Sequence, residues 1–175
     1  MRVVERGGTY LRVAKPEWRD PLDTSFCKVT GGRWNPPAEF GALYLNRTLN
    51  VAAANARWQH RGRAIGLFDL QPDRRPILVS VDVPPSRVLD VITASGLRAL
   101  RLPSTYPYEI GYERCQPVGK RARNLGLPGV ACRSNAESTA TRWLGEELAW
   151  FDQATSLSEN APRLPFNVWY PDLIP

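Results

Sequence analysis

Apolar and polar residues alternate from Ile77 to Val83, with Ile77, Val79, Val81 and Val83 on one side and Leu78, Ser80 and Asp82 on the other. That is the period of a strand with one buried face, and Pro84 and Pro85 are expected to end it. Shorter strands are expected at Thr9 to Val13, Ala42 to Leu45, Val130 to Cys132 and Leu148 to Phe151, with a further apolar stretch at Val88 to Ile92. The run Val51 to Gln59 is dense in alanine and free of glycine and proline, so it reads as a helix with Asn50 as its N-cap. Val51, Asn55 and Trp58 share one face of that helix, which turns Asn55 inward. A second helix is expected to carry Pro117 in its first turn, run to Asn124 and stop before Gly126. Breakers mark Pro16 to Pro21, Gly31 to Pro37 and Ser104 to Tyr108 as loops. Helices and strands mix without a βαβ rhythm, which argues an α+β fold with a largely antiparallel sheet.

Length and composition narrow the class. With 175 residues, 43% of them hydrophobic, and with 6 Trp and 5 Phe to fill an interior, one globular domain over 1–175 is expected. Its core lies roughly at 9–152, and a proline-rich tail, 153–175, packs back through Trp169 and Tyr170. No apolar run approaches the ~20 residues of a membrane helix, and Met1 to Tyr10 carries charge and glycine where a signal sequence has an apolar core. A cytoplasmic protein is expected. Cys27, Cys115 and Cys132 are an odd count without a close pair, and His60 is the lone histidine, so metal-free chemistry and ordinary reduced thiols are expected.

The 23 basic residues outnumber the 17 acidic ones, for a net charge of +6, and nearly all are arginines. An arginine fork grips phosphate or carboxylate in two places, which suits a phosphorylated ligand; a GC-rich genome would give the same bias. The basic residues come in short dispersed groups, such as Arg57, Arg61 and Arg63, so direct nucleic-acid binding ranks low, although a basic RNA-binding protein stays open as a third reading.

No P-loop, dinucleotide-binding glycine motif, Gly-x-Ser-x-Gly elbow or HExxH is present. A His-dependent triad would need His60, which is expected at an exposed helix end beside Arg57, Arg61 and Arg63. The most unusual segment is Gly31-Gly32-Arg33-Trp34-Asn35-Pro36-Pro37. Glycines let the backbone approach a ligand and prolines stiffen the turn, so Arg33 is poised as an anion clamp. The other reading is a structural turn with Trp34 buried and Arg33 paired to a carboxylate.

The order of segments carries a resemblance. Tyr10-Leu11-Arg12-Val13, Asp20-Pro21-Leu22-Asp23, the glycine-arginine-tryptophan loop, Ala42-Leu43-Tyr44-Leu45, an alanine-rich helix, and Gly129-Val130 leading to Arg133-Ser134 together resemble the RES-domain family over roughly Tyr10 to Phe151. The resemblance implies an ADP-ribosyltransferase-like fold, with sheets around a central cleft and flanking helices. It further implies a bacterial toxin that degrades NAD as its substrate, with no cofactor, and a partner antitoxin of the Xre DNA-binding type. It matches Arg33, Tyr44 and Ser134 to the family's active-site arginine, tyrosine and serine, and Arg12 to a further arginine. In the ligand-binding reading Arg12 and Arg33 hold the diphosphate, Tyr44 stacks, Trp34 lies beside the ligand, and Ser134 fixes a hydroxyl or the amide.

One position departs from the pattern. By spacing from Tyr44, the family's glutamate falls on Asn55. An amide has no charge to stabilise an oxocarbenium-like transition state, and losing such a contact costs ~10²–10³ in rate. A weak NADase, an enzyme recruiting another carboxylate such as Glu137 or Glu109, and a non-catalytic relative that binds a nucleotide or an antitoxin all stay open.

Overall fold

The computed structural model describes residues 1–170. In chain order its elements are β1 (Val3–Ala14), α1 (Ser25–Thr30), β2 (Ala42–Asn46), α2 (Leu49–His60), β3 (Ile77–Val91), α3 (Ala94–Ala99), α4 (Tyr112–Asn124), β4 (Gly129–Arg133), β5 (Glu146–Phe151) and α5 (Phe166–Trp169). The α+β class and the mainly antiparallel pairing agree with the sequence. The strands close into one barrel in the order β1-β2-β5-β4-β3, instead of separate sheets around a central cleft. Every pairing is antiparallel except β3 with β4.

Pro84 and Pro85 do not end β3. The strand runs through them because β1 shifts register between Arg6 and Gly8, directly opposite the prolines. A bulge is where a strand tolerates residues that cannot donate to the ladder. The cap of α2 also differs from expectation: Thr48, not Asn50, has extended backbone and accepts the Val51 N–H at 3.3 Å. Helix α4 starts at Tyr112, so Pro117 lies inside it and not in its first turn. The short helices α1 and α3 had no sequence signal strong enough to separate them from loop.

Strict alternation along the strands sorts the core into an inside and an outside. Leu43, Leu45, Leu148 and Trp150 join Tyr10, Val79 and Val81 in one buried cluster within the strands. Ala42, Ala149, Phe151, Val130 and Cys132 point the other way and pack with Trp34, Leu97 and Cys115 under α3 and α4. On another flank, Ala52, Ala53 and Ala56 of α2 pack with Leu78 and the tail aromatics Phe166, Trp169 and Tyr170. The tail therefore does pack back, and it also forms bridges to β3 at Leu78↔Leu164 and Val81↔Glu159. Its last five positions, 171–175, lie outside the described residues. Between the two outer clusters, Tyr44, Asn46 and Glu147 share one face of β2 and β5, since Asn46 and Glu147 are register partners.

Candidate active site

The loop after α1 is built around Asn35, which is fully buried. Its amide donates to the carbonyls of Cys27 at 2.8 Å and Phe40 at 3.0 Å, while its Oδ1 accepts from the Tyr44 hydroxyl at 2.8 Å. The same hydroxyl accepts the Trp34 N–H at 2.8 Å. Gly32 lies against this arrangement so closely that a Cβ there would sit 2.5 Å from the Tyr44 oxygen. Helix α4 closes the loop from the other side, where Gly119 leaves no room for a Cβ against the Trp34 carbonyl, only 1.9 Å away. The loop is thus held by close packing against Tyr44 and α4 and by the hydrogen bonds of Asn35 and Trp34.

That packing aims Arg33. Its Nη1 donates to the Ile110 carbonyl at 2.7 Å, and its guanidinium lies 5.2 Å from the centre of the Tyr112 ring. With the Asn135 amide oriented to satisfy both neighbours, its nitrogen donates to Pro107 O at 3.0 Å and its oxygen accepts from Arg33 at 3.1 Å. No carboxylate pairs with Arg33 among the described residues. The structural-turn reading is therefore half right: Trp34 is buried, but Arg33 is not paired to a carboxylate.

Arg33 opens on a cleft of about 530 Å³, within the usual size of a small-ligand site. Arg12, Tyr44 and Asn55 line the same cleft, so four of the residues singled out in the sequence come together from β1, the loop, β2 and α2. Among the described residues Arg12 likewise forms no ion pair, and its buried Nε has no hydrogen-bond partner. Burial lowers its pKa from the usual arginine value. Lys15, Arg63 and Arg74 add positive charge around the cleft, against Glu17 and Glu147.

Two singled-out residues lie elsewhere. Trp34 is 0% exposed; its Nε1–H donates to Cys132 Sγ at 3.2 Å and its ring meets Tyr106, so it is a core residue and not a surface for a ligand. Ser134 is likewise buried behind the lining, where its hydroxyl accepts the Ala136 N–H at 3.2 Å. Aromatic surface comes instead from Trp58 and Tyr112, 42% and 51% exposed at the cleft wall. His60, expected on an exposed helix end, is half-buried and lines the cleft too, with its pKa lowered by burial and by Arg63.

A carboxylate that the sequence did not single out reaches the cleft. Glu137 is held by Arg57 at 2.5 Å, and neither it nor Glu109 lines the cleft. Glu147, on β5, does. Its Oε1 accepts from Asn55 Nδ2 at 2.8 Å, and the same amide donates to Asn46 Oδ1 at 2.7 Å. Asn46 is fixed in turn by donating to the Leu11 carbonyl at 3.0 Å. Burial pushes the Glu147 pKa up, against the pull of Asn55, Ser134 and the Arg33 charge. The signal that could have found it is the alternation itself, which puts an acid two residues before Ala149 and four before Phe151, on the same outward face.

The cleft on the flank of the barrel is thus basic in balance and holds one carboxylate that accepts from an amide. The family described as the RES domain matches residues 9–168, and the chain belongs to the RES-domain family. It is 30% identical over 112 residues to proteins named NAD(+) phosphorylase MbcT from Mycobacterium tuberculosis and Mycobacterium bovis. That match spans 64% of this chain and 60% of each relative. The crystal structure of the M. tuberculosis MbcT-MbcA toxin-antitoxin complex is similar, with a TM-score of 0.78 and 24% identity over 95% of this chain and 89% of that one.

Proposed function

We propose that the chain is a single RES-like domain that degrades NAD by cleaving the bond between nicotinamide and ribose. The observation that carries this reading is the pair of guanidiniums, Arg12 and Arg33, that open on one cleft and form no ion pair among the described residues. A buried unpaired cation is costly, and a diphosphate is the ligand that would offset two of them. The name of the relatives supports NAD as that ligand, and the family resemblance supports an ADP-ribosyltransferase-like arrangement of it.

In the reaction the electron pair of the C1′–N bond leaves on nitrogen and nicotinamide departs neutral. The sugar carbon, left cationic, takes an electron pair from the oxygen of water or phosphate; with water, one proton goes to solvent. The protein holds the diphosphate through Arg12 and Arg33 and offers the rings of Tyr44, Trp58 and Tyr112 to the bases. Tyr44 contributes only its ring, because both hydrogen bonds of its hydroxyl go to the loop. Ser134 acts from behind the cleft. An antitoxin partner and a cytoplasmic location follow the same reading, supported by the similar structure being that of a toxin-antitoxin complex.

Purified protein incubated with NAD, with and without phosphate, is expected to release nicotinamide, and Arg33→Ala is expected to slow release at least tenfold. Release no faster than in the Arg33→Ala protein rejects the enzyme and leaves a nucleotide-binding or partner-binding domain.

A further inference from the structure

We propose that Glu147 is the catalytic carboxylate of this cleft, and that Asn55 is the residue that positions it. The inference rests on the NAD-cleaving reading above and names the group that reading leaves open.

Loss of nicotinamide develops positive charge on the sugar, and a fixed anion beside it lowers the barrier. Among the described residues only Glu17 and Glu147 bring carboxylates to the cleft lining. Glu17 is exposed on the loop after β1, where water would screen it. Glu147 sits on a barrel strand, forms no ion pair among the described residues, and is held by a chain of amides that begins at the Leu11 carbonyl. Its charge is available, its position is set in advance, and it shares the outward face of β2 and β5 with Tyr44.

The same geometry explains why position 55 is an asparagine. A carboxylate on α2 at that place would meet Glu147 within hydrogen-bond range, and two carboxylates so close cannot both stay ionised. An amide there donates to Glu147 instead. The acid of the cleft therefore stands on the strand, and the helix residue is its donor. During bond cleavage Glu147 is neither consumed nor alkylated: the electron pair leaves with nicotinamide, and the carboxylate only faces the sugar cation until water or phosphate adds.

The test uses the full chain and NAD itself, with wild type, Glu147→Gln, Asn55→Glu and the double swap Asn55→Glu/Glu147→Gln. Nicotinamide release is read alongside NAD affinity by calorimetry and the thermal midpoint of each variant. Glu147→Gln is expected to lose kcat by ~10²–10³ while binding NAD as wild type does. Asn55→Glu is expected to lose activity as well, through charge repulsion, and the double swap to recover at least tenfold over Glu147→Gln. That rescue cannot come from a purely structural role, because it returns a negative charge by a different backbone position. Glu147→Gln turning over at the wild-type rate overturns this assignment and leaves the NAD reading intact. A wild-type protein that neither binds nor cleaves NAD overturns both. If Glu147→Gln does not fold, a double swap no faster than wild type stripped of Arg33 overturns the assignment.

Discussion

The Tyr44 hydroxyl accepts the backbone N–H of Trp34 at 2.8 Å, and through that bond a strand of the barrel holds the loop that presents Arg33. Removing the hydroxyl leaves a buried N–H without a partner, which costs roughly 1–3 kcal/mol. Tyr44→Phe is expected to lower stability by about that amount in urea denaturation, and to raise KM for NAD more than it lowers kcat. An unchanged midpoint would mean the loop is held by Asn35 alone.

Arg12 sets ligand binding against stability. Its Nε lacks an acceptor and burial already lowers its pKa, so the free protein gains little from the charge. Arg12→Met keeps most of the volume and removes a poorly solvated cation. It is expected to leave stability equal or raise it by on the order of 1 kcal/mol, and to weaken NAD binding tenfold or more. Thermal unfolding with and without NAD separates the two effects; a variant that is less stable yet binds NAD normally would make Arg12 a structural residue.

Much of this architecture was legible along the chain, for reasons that differ by element. Strand β2 and the core of α2 were readable because their patterns are local: alternation at Ala42 to Leu45 and an alanine-rich run that turns Asn55 inward. The prolines misled at β3 because what tolerates them is a register shift in β1, about 77 residues earlier, which no local window contains. Glu147 was missed for the same kind of reason. Its partner Asn55 is 92 residues away, and only the pairing of Asn46 with Glu147 brings them together. Trp34 and Ser134 were placed in the right neighbourhood but on the wrong side of the cleft wall, because sequence order does not say which face of a wall a side chain takes.

Asp90 links the barrel to α3. It accepts from the N–H groups of Ile92 and Thr93, each at 3.0 Å, and from the Thr93 hydroxyl at 2.5 Å. Burial alone would raise its pKa, but these bonds and the nearby Arg2 outweigh that and lower it. A carboxylate with a lowered folded-state pKa stabilises above its unfolded value and loses that contribution as pH falls through the folded value. Asp90→Asn is expected to cost about 1–2 kcal/mol at pH 7, with the difference from wild type shrinking below the ordinary carboxylate range. Urea unfolding of both proteins at neutral and strongly acid pH measures it; a difference constant with pH would assign the loss to packing.

Glu147 runs the other way. Burial raises its pKa, while Asn55, Ser134 and the Arg33 charge oppose that rise only in part, and the nearby Cys132 and Tyr106 are themselves pushed up by burial and stay neutral. An acid with a raised folded-state pKa destabilises when ionised, so this penalty is present above that pKa and is relieved as pH falls through it. Activity follows the opposite course, since only the ionised form faces a cation on the sugar. Nicotinamide release is therefore expected to fall on the acid side with an apparent pKa above the ordinary glutamate value, over a range where Glu147 costs the fold progressively less. Glu147→Gln is expected to abolish that acid limb along with most of the rate, and in the double swap with Asn55→Glu the limb is expected to return at a shifted position, because the carboxylate then hangs from α2 and takes its hydrogen bond from a glutamine. A limb that persists unchanged in Glu147→Gln would assign it to another group in the cleft and not to Glu147.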